Sequence, residues 1–214
     1  MIDFSILSII EHHKVFALVR TDSAETALKA AEAAIIGGIK LIEVSLGTPG
    51  AVRVISDLRR KYGDAIRVGA GGVISIDGAD RAIKGGAQFI SSPHTSASII
   101  EFSISKKIFP IAGAATPTEI MSAWDFGVPL IKVFPAYAFG GVPYIRSLKD
   151  SMPEVRLLPA SGITVSNVAD FLQAGSFAVG IGGSVFRLGD INNDNYAGIA
   201  ERARLLVKSI EEMK

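Results

Sequence analysis

The chain has 214 residues, 49% of them apolar, which suits a single domain with a substantial buried core. It contains no cysteine, which excludes disulfides, thiolate zinc sites and cysteine nucleophiles together and fits a reducing compartment. Its 22 basic and 21 acidic residues are scattered without a block of one sign, which argues against a nucleic-acid partner.

The first stretch, MIDFSILSIIEHHK, has an early acid, Asp3, and neither a basic leader nor a small-residue cleavage site. It predicts a short amphipathic helix rather than a signal peptide, with His12 and His13 on that helix and outside any chemistry. No apolar run approaches the roughly 20 residues that span a bilayer, so a soluble, cytoplasmic protein with no membrane partner is expected.

From there the chain alternates between short β-branched runs and helix-like segments. Strands are expected at 15–19 (VFALV), 40–45 (KLIEVS), 66–70 (IRVGA), 88–91 (QFIS), 108–112 (IFPIA), 130–134 (LIKVF), 155–159 (VRLLP) and 177–181 (FAVGI). Start signals precede several helices: DSAE at 22–25, SID at 75–77, and TPTE at 116–119. In the last, Thr116 is the N-cap, Pro117 takes the first helical position and Glu119 closes a capping box. Gly38, Gly86, Gly127 and Gly175 each end a helical segment just before an apolar run, as left-handed stop residues do.

Eight strand-plus-helix units predict an α/β fold, a single (β/α)8 TIM barrel over residues 1–214 with an extra N-terminal helix. An open doubly wound sheet, with five or six strands, fits the count less well. In the barrel, chemistry belongs at the C-terminal ends of the strands.

Two ionisable residues interrupt the apolar runs. Side chains alternate along a strand, so Lys132 shares a face with Leu130 and Phe134, and Glu43 shares one with Leu41 and Ser45. Either alone reads as a paired structural charge; together, on strands covered on both faces, they demand pairing, neutralisation or use. A desolvated amine can attack a carbonyl carbon while a carboxylate shuttles protons, the minimal set for a class I aldolase. A directly bonded carboxylate would hold the amine protonated, so the two are expected to communicate through water or substrate.

A second constellation is glycine-rich. Ser161 and Gly162 in SGIT, and Gly182, Gly183 and Ser184 in GIGGS, follow the last two strands, where barrels bind phosphate on backbone N–H groups. Arg20, leaving the first strand, could hold a carboxylate or phosphate or be a rim charge. GAGG at 69–72 keeps the barrel mouth open, and His94 reads as a solvated loop residue. Metal-site, EF-hand and P-loop patterns do not occur, so no metal or cofactor is expected.

GGIKLIEVSLGTPGA, VGAGGV, SSP, IKVFPA, SGIT and GIGGS together resemble the 2-keto-3-deoxy-6-phosphogluconate (KDPG) and 4-hydroxy-2-oxoglutarate aldolase family over roughly residues 13–210. The resemblance implies a trimeric, metal-free (β/α)8 barrel that cleaves a 2-keto acid through a lysine imine. It implies Lys132 as the imine-forming lysine and Glu43 as the acid/base. Gly162, Gly183 and Ser184 are similar to the family's phosphate cradle, and the substrate contacts extend to Gly72 and Pro93. Members specific for KDPG carry arginine in LRT where this chain has Gly47, threonine in GAGT where it has Gly72, and TGGI where it has Ala160–Gly162. AFGGVPYIRSLK at 138–149 looks closer to the galactonate-type relatives and does not choose between the epimers; the activity the family resemblance implies is KDPG-type cleavage to pyruvate and glyceraldehyde 3-phosphate. The alternatives are the 6-phosphogalactonate epimer, 4-hydroxy-2-oxoglutarate, or a phosphate-binding barrel without catalysis.

Overall fold

The computed structural model describes residues 5–213; Asp3, on which part of the N-terminal expectation rests, lies outside them. A first helix, α1 (Ser5–His13), leads into β1 (Val15–Val19), α2 (Ala24–Ile36), β2 (Leu41–Ser45), α3 (Ala51–Tyr62), β3 (Arg67–Gly71) and α4 (Ile76–Lys84). There follow β4 (Phe89–Ser91), α5 (Ala97–Ser105), β5 (Phe109–Ala114), α6 (Pro117–Asp125), β6 (Leu130–Val133) and α7 (Val142–Ser151). The chain closes with β7 (Leu157–Pro159), α8 (Val168–Gln173), β8 (Val179–Ile181), α9 (Leu188–Asn192) and α10 (Tyr196–Glu211).

The strands are parallel and run in the order β7-β6-β5-β4-β3-β2-β1-β8. The two ends of this sheet meet through a parallel bridge between Ala160 and Gly180 and a bond from the Phe177 N–H to the Leu157 carbonyl at 2.9 Å. The result is the expected barrel, nearly closed. Alternation then sorts the side chains into two layers. Val15, Ala17, Ile42, Val44, Ile131 and Val133 pack outward against the helices, while Phe16, Leu41, Phe89, Phe109, Leu130 and Leu158 fill the lumen.

The inner cluster also contains Ile6 and Ile10 from α1. The helix therefore plugs the end where the strands begin, and its residues His12 and His13 lie in its last turn. Ligand access is left to the opposite end, where the strands finish.

The helix stops follow a single rule. Gly38, Gly86, Gly127 and Gly175 have φ between 78° and 101°. In each case the following N–H reaches back five positions: Ile39 to Ala34, Ala87 to Ala82, Val128 to Ala123, Ser176 to Phe171. A left-handed glycine turns the chain so that the last helical carbonyls are satisfied and the next strand starts at once. At the start of α6, Thr116 accepts from the Glu119 N–H and Glu119 accepts from the Thr116 N–H, forming the expected capping box. Ser23 and Ser75 cap α2 and α4.

Most strand boundaries agree with expectation to within one residue. The larger differences are at 108–112, where the strand runs two residues further, to Ala114, and at 155–159 and 177–181, where the strands begin two residues late, at Leu157 and Val179. Val155 is still held in a turn by its bond to Met152, and Phe177 and Ala178 both donate to Leu157 rather than continuing a ladder. No helix among the described residues is long and apolar enough to cross a membrane.

Candidate active site

Lys132 from β6 and Glu43 from β2 meet in the lumen. Nζ donates to Glu43 Oε1 at 2.7 Å, with only 6% of the lysine and 4% of the glutamate exposed. The pair is thus direct, not linked through water or substrate as the sequence suggests. In an apolar lumen, with few other partners in reach, two opposite charges on facing strands neutralise each other more effectively than either is neutralised alone. Among the described residues Nζ has one further partner, Ser91 Oγ at 3.3 Å on β4. The second carboxylate oxygen, Glu43 Oε2, is buried and has no hydrogen-bond partner among the described residues.

The pair opens on a cavity of about 290 Å³ at the strand C-termini. Glu43, Lys132 and Phe134 line it with Leu18, Arg20, Ser45, Gly72 and Pro93. Three of the residues expected to touch substrate, Arg20, Gly72 and Pro93, are therefore brought to the amine. The Arg20 guanidinium is exposed and makes no ion pair or hydrogen bond with any described residue. Its Nε lies 3.5 Å from where a Cβ on Gly47 would be, so this guanidinium occupies the neighbourhood of the missing Gly47 side chain.

Ser161, Gly162, Gly182, Gly183 and Ser184 do not line that cavity. They form a second, contiguous patch across the seam that closes the barrel: Ser184 Oγ donates to the Ile163 carbonyl at 2.7 Å, and the Ala160–Gly180 bridge lies beneath. The positions allotted to Gly182 and Gly180 abut Leu18, which also walls the cavity, so the two patches adjoin. The stretch after Gly182 is a turn, not a helix start; Val185 and Phe186 both donate to the Gly182 carbonyl, and α9 begins only at Leu188. His94 is exposed as expected, with Nδ1 3.1 Å from Ser92 Oγ.

GAGG does more than keep the mouth open. A Cβ at Gly69 would lie 2.4 Å from the Phe89 ring, and one at Gly71 would lie 2.1 Å from Glu43 Oε1. The first glycine admits a core ring and the second admits the carboxylate. Gly113, beside Lys132 in the β5–β6 register, does the same for the backbone of Pro93, which a Cβ there would approach to 2.2 Å. Sequence reasoning gave no role to Ser91, Ser45 or Leu18, although Ser45 shares the Glu43 face. The alternation of FIS on β4 was the available signal, since it turns Ser91 inward with Phe89.

An eight-stranded parallel barrel that presents a buried amine and a carboxylate to a single small cavity at the strand ends defines a class I aldolase barrel. The model of the KDPG and KHG aldolase family matches residues 6–202. The 2-dehydro-3-deoxy-phosphogluconate aldolase of Treponema pallidum is 32% identical over 168 residues, 78% of this chain and 80% of that protein. The 2-dehydro-3-deoxy-6-phosphogalactonate aldolase of Escherichia coli K12 is 29% identical over 92% of this chain and 95% of its own. Among solved structures, KDPG aldolase from Legionella pneumophila, with pyruvate captured as a covalent carbinolamine, superposes with a TM-score of 0.86. It is 29% identical, covering 94% of this chain and 97% of that one. The chain belongs to the KDPG and KHG aldolase family and is a carbon–carbon lyase.

Proposed function

We propose that the chain cleaves a 2-keto-3-deoxy-6-phospho sugar acid of the KDPG type to pyruvate and glyceraldehyde 3-phosphate, with Lys132 as the imine-forming amine and Glu43 as the acid/base. The observation that carries this reading is the 2.7 Å Lys132–Glu43 pair at the wall of a cavity large enough for a small keto acid.

Once the ammonium has given a proton to water in the cavity, the neutral amine adds to the C2 carbonyl, the N–C bond forming as the carbonyl π pair moves to oxygen, which that water protonates. Glu43 takes the next proton from nitrogen and hands it to the same oxygen. Loss of that oxygen as water leaves a protonated imine. Glu43 then takes the C4 hydroxyl proton, directly or through a water bound at Oε2, and the C3–C4 bond breaks. Its electron pair passes to the imine nitrogen as an enamine, and C4 leaves as the aldehyde carbon. Protonation at C3 and hydrolysis release pyruvate and restore the amine. Arg20, unpaired among the described residues, suits a carboxylate or phosphate at the mouth, and the patch from Ser161 and Gly162 to Gly182, Gly183 and Ser184 suits a terminal phosphate on backbone N–H groups.

Gly47 and Gly72 remove side chains from the mouth and favour a second reading, the 6-phosphogalactonate epimer or the shorter 4-hydroxy-2-oxoglutarate, by the same half reaction. A single domain, a homotrimer and a cytoplasmic location complete the proposal; closed symmetric assembly is the general tendency of soluble oligomers.

Incubation with pyruvate and borohydride, followed by intact mass measurement, tests the imine. A stable adduct absent from Lys132→Ala is expected, and an unmodified wild-type mass overturns the assignment. Cleavage rates with the two phosphorylated epimers and with 4-hydroxy-2-oxoglutarate then select the substrate, and light scattering reads the subunit number.

A further inference from the structure

Ser91 is a fully buried hydroxyl on the lumen face of β4, and Lys132 Nζ at 3.3 Å is its one side-chain partner among the described residues. A hydroxyl withdrawn from water is costly unless it is bonded, and alternation along FIS would place any apolar residue equally well there. Ser91 does not itself line the cavity that Glu43 and Lys132 share, so its link to the space a keto acid would fill runs through its bond to the ammonium.

We propose that Ser91 is a positioning residue that aims the lone pair of Lys132 at the substrate carbonyl; this rests on the assignment of Lys132 as the imine-forming amine. An ammonium carries three hydrogens arranged tetrahedrally. Glu43 Oε1 takes one at 2.7 Å and Ser91 Oγ takes another at 3.3 Å. The third hydrogen has no acceptor among the described residues and is left for the cavity side. When that proton passes to water in the cavity, the lone pair it leaves behind lies along the same direction, toward C2. As the N–C bond forms, the carbonyl π pair moves to oxygen and is protonated there. The nitrogen then gives a second proton to Glu43, completing a neutral carbinolamine. Without Ser91 the amine is fixed by one bond only and turns about Cδ–Cε and Cε–Nζ, so that its lone pair is spread over several directions. The bond to Ser91 is long for an N–H donor, so its contribution is direction more than strength.

The test uses the whole chain and the exchange of the methyl hydrogens of pyruvate with D2O, followed by NMR, which reports imine and enamine formation without an aldehyde. In Ser91→Ala the maximal exchange rate is expected to fall about 10- to 100-fold with the half-saturating pyruvate concentration within about two-fold, the signature of lost orientation rather than lost binding. Ser91→Thr, which keeps the hydroxyl, restores the rate, whereas Ser91→Cys, close in size but a poor acceptor, stays with alanine. Thermal unfolding of each variant is measured alongside. An unchanged maximal rate in Ser91→Ala overturns the proposal. So does a ranking of Ala, Cys and Thr that follows unfolding temperature instead of the hydroxyl. Failure of the wild-type protein to form a borohydride adduct at Lys132 would instead remove the aldolase assignment on which the inference rests.

Discussion

Gly71 gives Glu43 its place: a Cβ on this residue would stand 2.1 Å from Oε1 and 2.5 Å from Cδ of the carboxyl group. Gly71→Ala is accordingly expected to displace the carboxylate while the backbone, which needs no left-handed conformation there, stays folded. Cleavage activity should drop by about 100-fold, the usual scale for an ångström of misplacement. Gly69→Ala meets the Phe89 ring instead and should lower stability by about 1–3 kcal/mol through overpacking. Steady-state rates and urea unfolding of the two variants check this separation; equal loss of activity in both would count against it.

The buried pair should be a burden on stability unless both members are present. Lys132→Met leaves Glu43 buried without its cation and is expected to destabilise the chain by about 3–5 kcal/mol. Converting both, Lys132→Met with Glu43→Leu, should recover that loss in an inactive barrel, because apolar residues of similar volume replace a buried ion pair without an uncompensated charge. Denaturant midpoints measure it, and a single variant as stable as wild type would contradict the account.

Arg20, a cation without an ion-pair partner among the described residues, stands at the cavity mouth beside the space of the missing Gly47 side chain. Arg20→Ala should raise KM for an anionic keto acid by about 10- to 100-fold, the worth of one charge-assisted hydrogen bond of about 1.5–3 kcal/mol. Placing an arginine at position 47 in that background should recover part of the loss, since a Cβ there meets only ordinary contacts, at 3.4 Å and beyond. Initial-rate kinetics at two ionic strengths provide the check, with no rescue as the unfavourable result.

Stability near α6 should depend on pH in the acid range. Bonds from the Ala115 and Thr116 backbone N–H groups and the Thr116 hydroxyl hold the Glu119 carboxyl below its ordinary 4.5. Because the folded value is depressed, the contribution is complete above about pH 4.5 and is lost as pH falls through the folded value. Thr116→Ala should cost about 1 kcal/mol at pH 7, as N-cap removal does. The difference in stability between wild type and Glu119→Gln should shrink in urea titrations carried from pH 7 to pH 3.

Much was legible before any tertiary contact was known. Four glycines just after helical segments, alternation within LIEVS and LIKVF, and the TPTE box are local patterns. Local sterics and hydrogen bonding dictate their outcome, so helix stops, strand faces and the cap could be read residue by residue. The two inward charges followed from the same period-two rule.

What the chain alone could not decide is distance between strands far apart in sequence. Whether Lys132 touches Glu43 or only shares a lumen with it, whether Ser91 reaches the amine, and which glycines make room for Glu43 and Pro93 depend on stagger around a closed barrel. That stagger is set by closing and packing all eight strands together, with α1 filling one end of the lumen. Sequence therefore determined the barrel and its inward-facing chemistry; only the closed tertiary structure decided that the chemistry converges on one cavity while the glycine patch sits beside it.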